Sequence, residues 1–294
     1  MNLEVPQTNA RGTVESRPAA ATTVSRCPSC DRSVKHGAYC SACGESLHVS
    51  GRLHLGHFLH EAFHFQTHLD NKVVRTLVPL LTRPGLLTQA WLQGRRQPYA
   101  KPIQLFVVLN LVFFLLASSL GVHLLVVDEP VLRQGLPGLG PTLLEAQRAR
   151  HGLTGAQYAW VFNLALEPHK KWVFLILTTL VALGLKLLHP RRAIVGHLVF
   201  AIHFSCLLFL YFVVLGLIQA VAAKTPWGLI DNRVLMLISL LLLGAYGALA
   251  LRRVMALVWW RAAAEGVLVA MCFYPTMMLT ERLALLLAFR SLGG

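Results

Sequence analysis

Charge is scarce in this chain. The 13 Asp and Glu and 27 Lys and Arg together make up only 14% of the 294 residues. Soluble domains carry roughly 25% charged residues, so an ordinary water-facing surface is excluded for much of the sequence. No alternating β pattern and no long internal repeat is present. That excludes a β-rich architecture and leaves no strand to hold an extended peptide substrate. Residues 1–26 hold no apolar segment and carry Glu4 and Glu15 among Thr and Pro. This composition points away from a cleavable signal peptide and towards a disordered tail.

What is abundant is apolar sequence, 55% of all residues. Five runs reach or approach the roughly 20 residues that a helix needs to cross the hydrocarbon core: 103–127, 172–188, 194–221, 234–251 and 262–279. The chain therefore reads as an all-α integral membrane protein with about five transmembrane helices. Its divisions are a tail (1–26), a zinc-ribbon-like module (27–45), juxtamembrane amphipathic helices (48–102) and a transmembrane helical domain (103–290). Pro275, after Tyr274, is expected to kink the last helix.

The formal charge of +14 does not point to nucleic acid, because the basic residues sit beside the apolar runs. HPRR (189–192), RRVMALVWWR (252–261) and the segment carrying Arg95, Arg96 and Lys101 hold no acidic residue. The loop 128–171 offsets its Lys and Arg with Asp128, Glu129, Glu145 and Glu167. By the positive-inside rule, the lipid bilayer is the first partner, and the N-terminus is expected to be cytoplasmic in a bacterial inner membrane.

Residues 27–43 contain Cys27-x2-Cys30 and Cys40-x2-Cys43. Two such knuckles place four thiolates around one tetrahedral Zn2+, with Gly44 relieving the turn after the second pair. Two disulfides are the alternative, which a reducing cytoplasmic location disfavours. Four thiolates close the coordination sphere, so the expected Zn2+ is structural. A docking or folding role, through a cytoplasmic protein partner, follows more readily than nucleic-acid contact. The charges nearest the knuckles, Asp31, Arg32, Lys35 and Glu45, do not build a basic patch.

A second pattern lies at HEAFHFQTHLD, residues 60–70. Wound as a helix, His54, His57, His60, Glu61, His64 and His68 share one face, while Leu55, Phe58, Leu59, Ala62, Phe65 and Leu69 line the other. His60, Glu61 and His64 match the H-E-x-x-H signature of zinc peptidases, with Glu61 as general base and His68 or Asp70 as third ligand. Thr67 stands where metzincins need glycine, and no downstream third-ligand motif follows. An interfacial amphipathic helix is the leading reading, with a metal-binding or proton-sensing histidine face behind it.

Ionisable residues inside spans are costly to bury in lipid and mark function by default. Lys186, His197 and Glu265 fall at similar depth near one membrane face, and His203 lies deeper. Together they form a candidate path for protons or a small solute. An inter-helix hydrogen bond is the expected role of His203.

These segments resemble a known family. The cysteine pairs, YCSACG, HEAFHFQTHLD, RTLVPLLTRPGLLTQAWLQGRRQPYAKPIQLF, HLVFAIHFSCLLFL and YGALALRRV occur in that order. The chain is similar to the bacterial membrane proteins catalogued as domain of unknown function 3667. Gln97 and Met255 depart from the pattern, standing where a basic residue and an aromatic are expected. The resemblance implies a zinc-ribbon-like start and a helical membrane domain, and it brings no activity. The leading expectation is a non-enzymatic membrane protein whose zinc module docks or senses a partner. A transporter using Lys186, His197, His203 and Glu265 comes second, and a metallopeptidase using His60, Glu61 and His64 third.

Overall fold

The computed structural model describes residues 25–34, 39–45, 47, 56, 72–119, 127–136, 138–222, 225 and 232–293. The chain divides into two compact units, Met1–Gly51 and Arg52–Gly294. The histidine-rich stretch 57–70, with His60, Glu61, His64 and His68, lies outside the described residues.

In the first unit, β1 (Ser25–Arg26) pairs antiparallel with β2 (Ser33–Val34), with Arg26 opposite Ser33. This hairpin carries the first cysteine pair in its turn.

The second unit is helical. Its elements are α1 (Lys72–Thr82), α2 (Leu86–Leu92), α3 (Pro102–Ser119), α4 (Glu129–Gln134), α5 (Pro141–Arg150), α6 (Gly155–Leu188), α7 (Ile194–Ala222), α8 (Asn232–Met255) and α9 (Trp259–Ser291). Helices α7, α8 and α9 are long and apolar enough to cross a membrane. A fourth crossing is available if α6 is taken as one bent span, its halves 155–169 and 174–188 inclined at 43°. Pro168 lies at this bend, where it removes a backbone donor and crowds the preceding turn. In α3 the described apolar part, Pro102–Leu116, is shorter. Of the five expected crossings, three are therefore met outright by length and composition. The last helix continues through Pro275 as one element, without the break found in α6.

Helix α7 is the centre of the unit. Its most apolar window is 61% buried, against 28% in α8 and 29% in α9, so α7 faces protein while α8 and α9 keep one face for lipid. It packs against α1, α2, α3 and α6. Phe113 of α3, Phe174 of α6 and Phe209 of α7 meet with ring centroids 4.6 to 5.6 Å apart. Helices α8 and α9 meet at Gly244, Gly247 and Gly266. A Cβ on Gly266 would sit 2.4 Å from the Ala248 nitrogen, the small-residue contact that lets membrane helices gain dispersion energy.

The loop expected at 128–171 is largely helical. α4, α5 and the first half of α6 gather Val127, Leu132, Leu136, Leu144, Tyr158 and Phe162 around Ala284, Leu285 and Ala288 of α9. The start of α6 is set by a capping box: Gln157 N–H donates to Thr154 Oγ1 and Thr154 N–H donates to the Gln157 side chain. Helix α6 thus begins 17 residues before the apolar run at 172–188 from which a span was expected.

Candidate metal centre and buried polar groups

The two cysteine turns are copies of one another. Cys27 N–H donates to the Arg32 carbonyl and Asp31 N–H to the Cys27 carbonyl, each at 2.9 Å. Cys40 N–H donates to the Glu45 carbonyl and Gly44 N–H to the Cys40 carbonyl, each at 2.8 Å. Gly44 has φ +71°, as a left-handed turn requires, and Asp31 holds φ +58° at the matching position. Aspartate tolerates this region better than most side chains, so the first knuckle closes without glycine.

This symmetry brings all four sulfurs within 4.8 Å of one another. The Sγ–Sγ distances are 3.6 Å for Cys27–Cys43 and for Cys30–Cys40. A disulfide needs about 2.05 Å. Four sulfurs at ~2.3 Å from a tetrahedral Zn2+ lie roughly 3.8 Å apart, so the donor set fits a metal ion and not a disulfide pair. Backbone N–H groups of Ala42 and Cys43 aim at Cys40 and lower its thiol to about 7, whereas burial pushes the Cys43 thiol up to about 12. Four thiolates this close repel one another, and a divalent cation is the natural compensation.

Glu45, taken from the sequence as one of the nearby charges, is only 2% exposed. Its Oε2 accepts the Ser29 hydroxyl hydrogen bond, joining the second knuckle to the first. The spacing of 16 residues gives no local cue to this contact.

In the membrane unit the expected cluster of Lys186, His197 and Glu265 is rearranged. Glu265 Oε2 lies 2.8 Å from His189 Nε2, and Glu265 Oε1 accepts from Arg261 Nε at 2.8 Å. His189, read from the sequence only as part of the basic HPRR loop, is the missing member. Lys186 donates instead to the carbonyls of Pro190 and Arg192, both at 2.7 Å. It holds the α6–α7 turn and does not touch the acid. His197 is fully buried beside His189.

His203 belongs to a separate contact, as the inter-helix reading expects. Its Nδ1 lies 2.9 Å from Thr88 Oγ1 of α2. The short α1–α2 hairpin is docked onto α7 and α8 by further bonds. Tyr246 OH donates to the Leu80 carbonyl at 2.6 Å, and Arg253 Nη1 to the Pro84 carbonyl at 2.7 Å. These α8 side chains satisfy carbonyls left open where α1 ends before Pro84. In a double-mutant cycle of Thr88→Val and His203→Leu, read by unfolding in detergent, we expect a coupling of about 1 kcal/mol. Strict additivity would show that the bond contributes nothing.

At the same end, Arg252 stacks 3.8 Å above the Trp259 ring, and Trp260 is exposed. Arginine with interfacial tryptophan is the expected composition of a headgroup boundary.

Residues 70–114 match the family described as "Protein of unknown function (DUF3667)". The matched stretch is the α1–α2 hairpin with its Arg83-Pro84-Gly85 turn, together with the start of α3. The resemblance seen in the sequence is borne out there. No curated protein and no solved structure matches the chain.

Proposed function

We propose that the chain is a non-enzymatic, multi-pass protein of the bacterial inner membrane whose N-terminal module, folded around one structural Zn2+, docks onto a cytoplasmic protein partner. The observation that supports this is the closed donor set. Cys27, Cys30, Cys40 and Cys43 supply four sulfurs within 4.8 Å, which leaves no coordination position for substrate or water. Soft tetrahedral thiolate sites select zinc, and in so small a module the metal supplies folding energy rather than chemistry. Tyr39, between the two knuckles and 66% exposed, is the kind of rigid aromatic that anchors interfaces.

In this reading the apolar run 103–127 joins α6, α7, α8 and α9 as the fifth crossing. The N-terminus and the loops with Arg191, Arg192, Arg252 and Arg253 then share the cytoplasmic side.

The test is a photo-crosslinking residue at position 39, used in native membranes. A specific protein adduct is expected, and deletion of residues 27–44 is expected to abolish that partner's co-purification while the membrane unit still extracts folded. An unchanged set of co-purified proteins after the deletion would refute the docking role.

A further inference from the structure

Where α6, α7 and α9 converge, four ionisable side chains are left unused by a docking function. Glu265 is 6% exposed and bridges two partners, His189 on one oxygen and Arg261 on the other. The ring of His197 stacks on that of His189, parallel within 18° at a centroid distance of 6.0 Å. His197 has 0% exposure, and among the described residues neither of its ring nitrogens has a hydrogen-bond partner. The His189 carbonyl acts on this ring outside hydrogen-bond geometry, and the charges of Lys186 and Arg192 also reach it. Arg192 is itself tied to the Met255 carbonyl of α8 at 3.0 Å.

A neutral imidazole has one donor and one acceptor nitrogen, and orphaning both in a buried site is unusual enough to need an occupant or an exchangeable group. Three ligand classes compete. A divalent cation needs several donors converging on one point, and among the described residues only the four cysteines bring three or more within 4.8 Å. Lys186, Arg192 and Arg261 also place three positive charges around the cluster, which opposes another cation of high charge. An anion or solute needs volume against His197, and that ring has no accessible surface. A proton needs no cavity, and imidazole is the side chain that exchanges it near neutral pH, with the carboxylate as its hydrogen-bond partner.

The geometry points to a proton-binding site formed by His189, Glu265 and His197, with one proton shared between His189 Nε2 and Glu265 Oε2 and the His197 ring as its alternate acceptor. On uptake, a nitrogen lone pair takes the excess proton of a hydronium ion and leaves a neutral water behind. The ion arrives along water entering past Arg261, whose side chain is 46% exposed. The cluster gains one positive charge, and release returns the proton to the same water. Because His189 caps α6 and Glu265 sits in α9, the shared proton also ties the α6–α7 turn to α9. This site stands on its own observations and does not depend on the docking role.

The experiment is 15N NMR of the full chain with labelled histidine in phospholipid nanodiscs, from about pH 5 to about pH 8. The two rings are assigned through H189Q and H197Q. In the wild type, the His189 and His197 signals are expected to move together in one common step. E265Q is expected to abolish or split that step while leaving the signal of His151, which bonds the Leu292 carbonyl far along the chain, unchanged. A His197 signal that stays constant across the range would overturn the site, as would a common step that survives E265Q; the first outcome identifies a neutral ring held by fixed water. Should E265Q fail to fold, H189Q gives the same contrast: a His197 response unaltered by it also overturns the site.

Discussion

Replacing Cys43 with serine is expected to lower the metal content of the purified protein from one zinc per chain to none and to unfold the N-terminal module. The size of the effect follows from how little else holds that module. Its described part has two strands of two residues each, and its buried residues are Cys27, Cys40 and Glu45. A structural zinc site contributes about 10–16 kcal/mol of apparent binding energy at neutral pH, far more than so small a core supplies. Losing one of four thiolates opens the coordination sphere and forfeits most of that energy. Elemental analysis supplies the count, and proteolysis of residues 25–47 supplies the folding readout. The membrane unit, with a separate core, is expected to keep its own unfolding transition. The H60A/H64A double variant is expected to leave the count at one. Two metals falling to one in that variant would show that the histidine face binds an ion.

Gly85→Ala is expected to destabilise the membrane unit by roughly 2–5 kcal/mol, the sum of left-handed backbone strain and overpacking. Gly85 has φ +77°, and a Cβ there would lie 2.6 Å from the Ala250 carbonyl oxygen and 2.9 Å from the Ala250 Cα. Both obstacles are backbone, so no side chain can swing aside. Gly152 provides the control, with φ +63° and nothing within 4 Å of its added Cβ. Gly152→Ala therefore carries the conformational strain alone, about 1–2 kcal/mol. Thermal unfolding in detergent separates the two: equal losses would show that the α1–α2 hairpin does not seat against α8 at this turn. Because Gly85 lies within the family-matched residues 70–114, the same test probes the contact that this stretch builds.

Several features were legible because their causes are local. The Cys-x2-Cys spacings announced a four-sulfur site, and the glycine after the second pair marked its turn. The apolar runs at 194–221, 234–251 and 262–279 became the three helices long and apolar enough to cross a membrane outright. Thr154-x-x-Gln157 is a local signal as well, unused in the reading of the spans, and it marks where α6 starts. Asp31 was harder to see as the twin of Gly44, since aspartate does not advertise positive φ as glycine does.

The pairing of ionisable groups was not legible. His189 and Glu265 are 76 residues apart, and Thr88 and His203 are 115 apart. Lys186 was the plausible partner for the acid by depth, yet it reaches the carbonyls of its own turn, four and six residues along the chain. Depth along a helix follows from residue number at a fixed rise, whereas the direction in which a side chain meets a neighbour depends on how helices rotate against one another.

From sequence alone, then, come the quantities that add up along the chain: apolar length enough for a bilayer, charge at the ends of spans, and thiolates at a spacing a metal can gather. Only the tertiary structure decided that α7 is the central helix, that residues 128–171 fold around the end of α9, and that His189 rather than Lys186 meets Glu265. Burial and hydrogen bonding between distant segments are properties of the packed helices, and no window of sequence contains both partners.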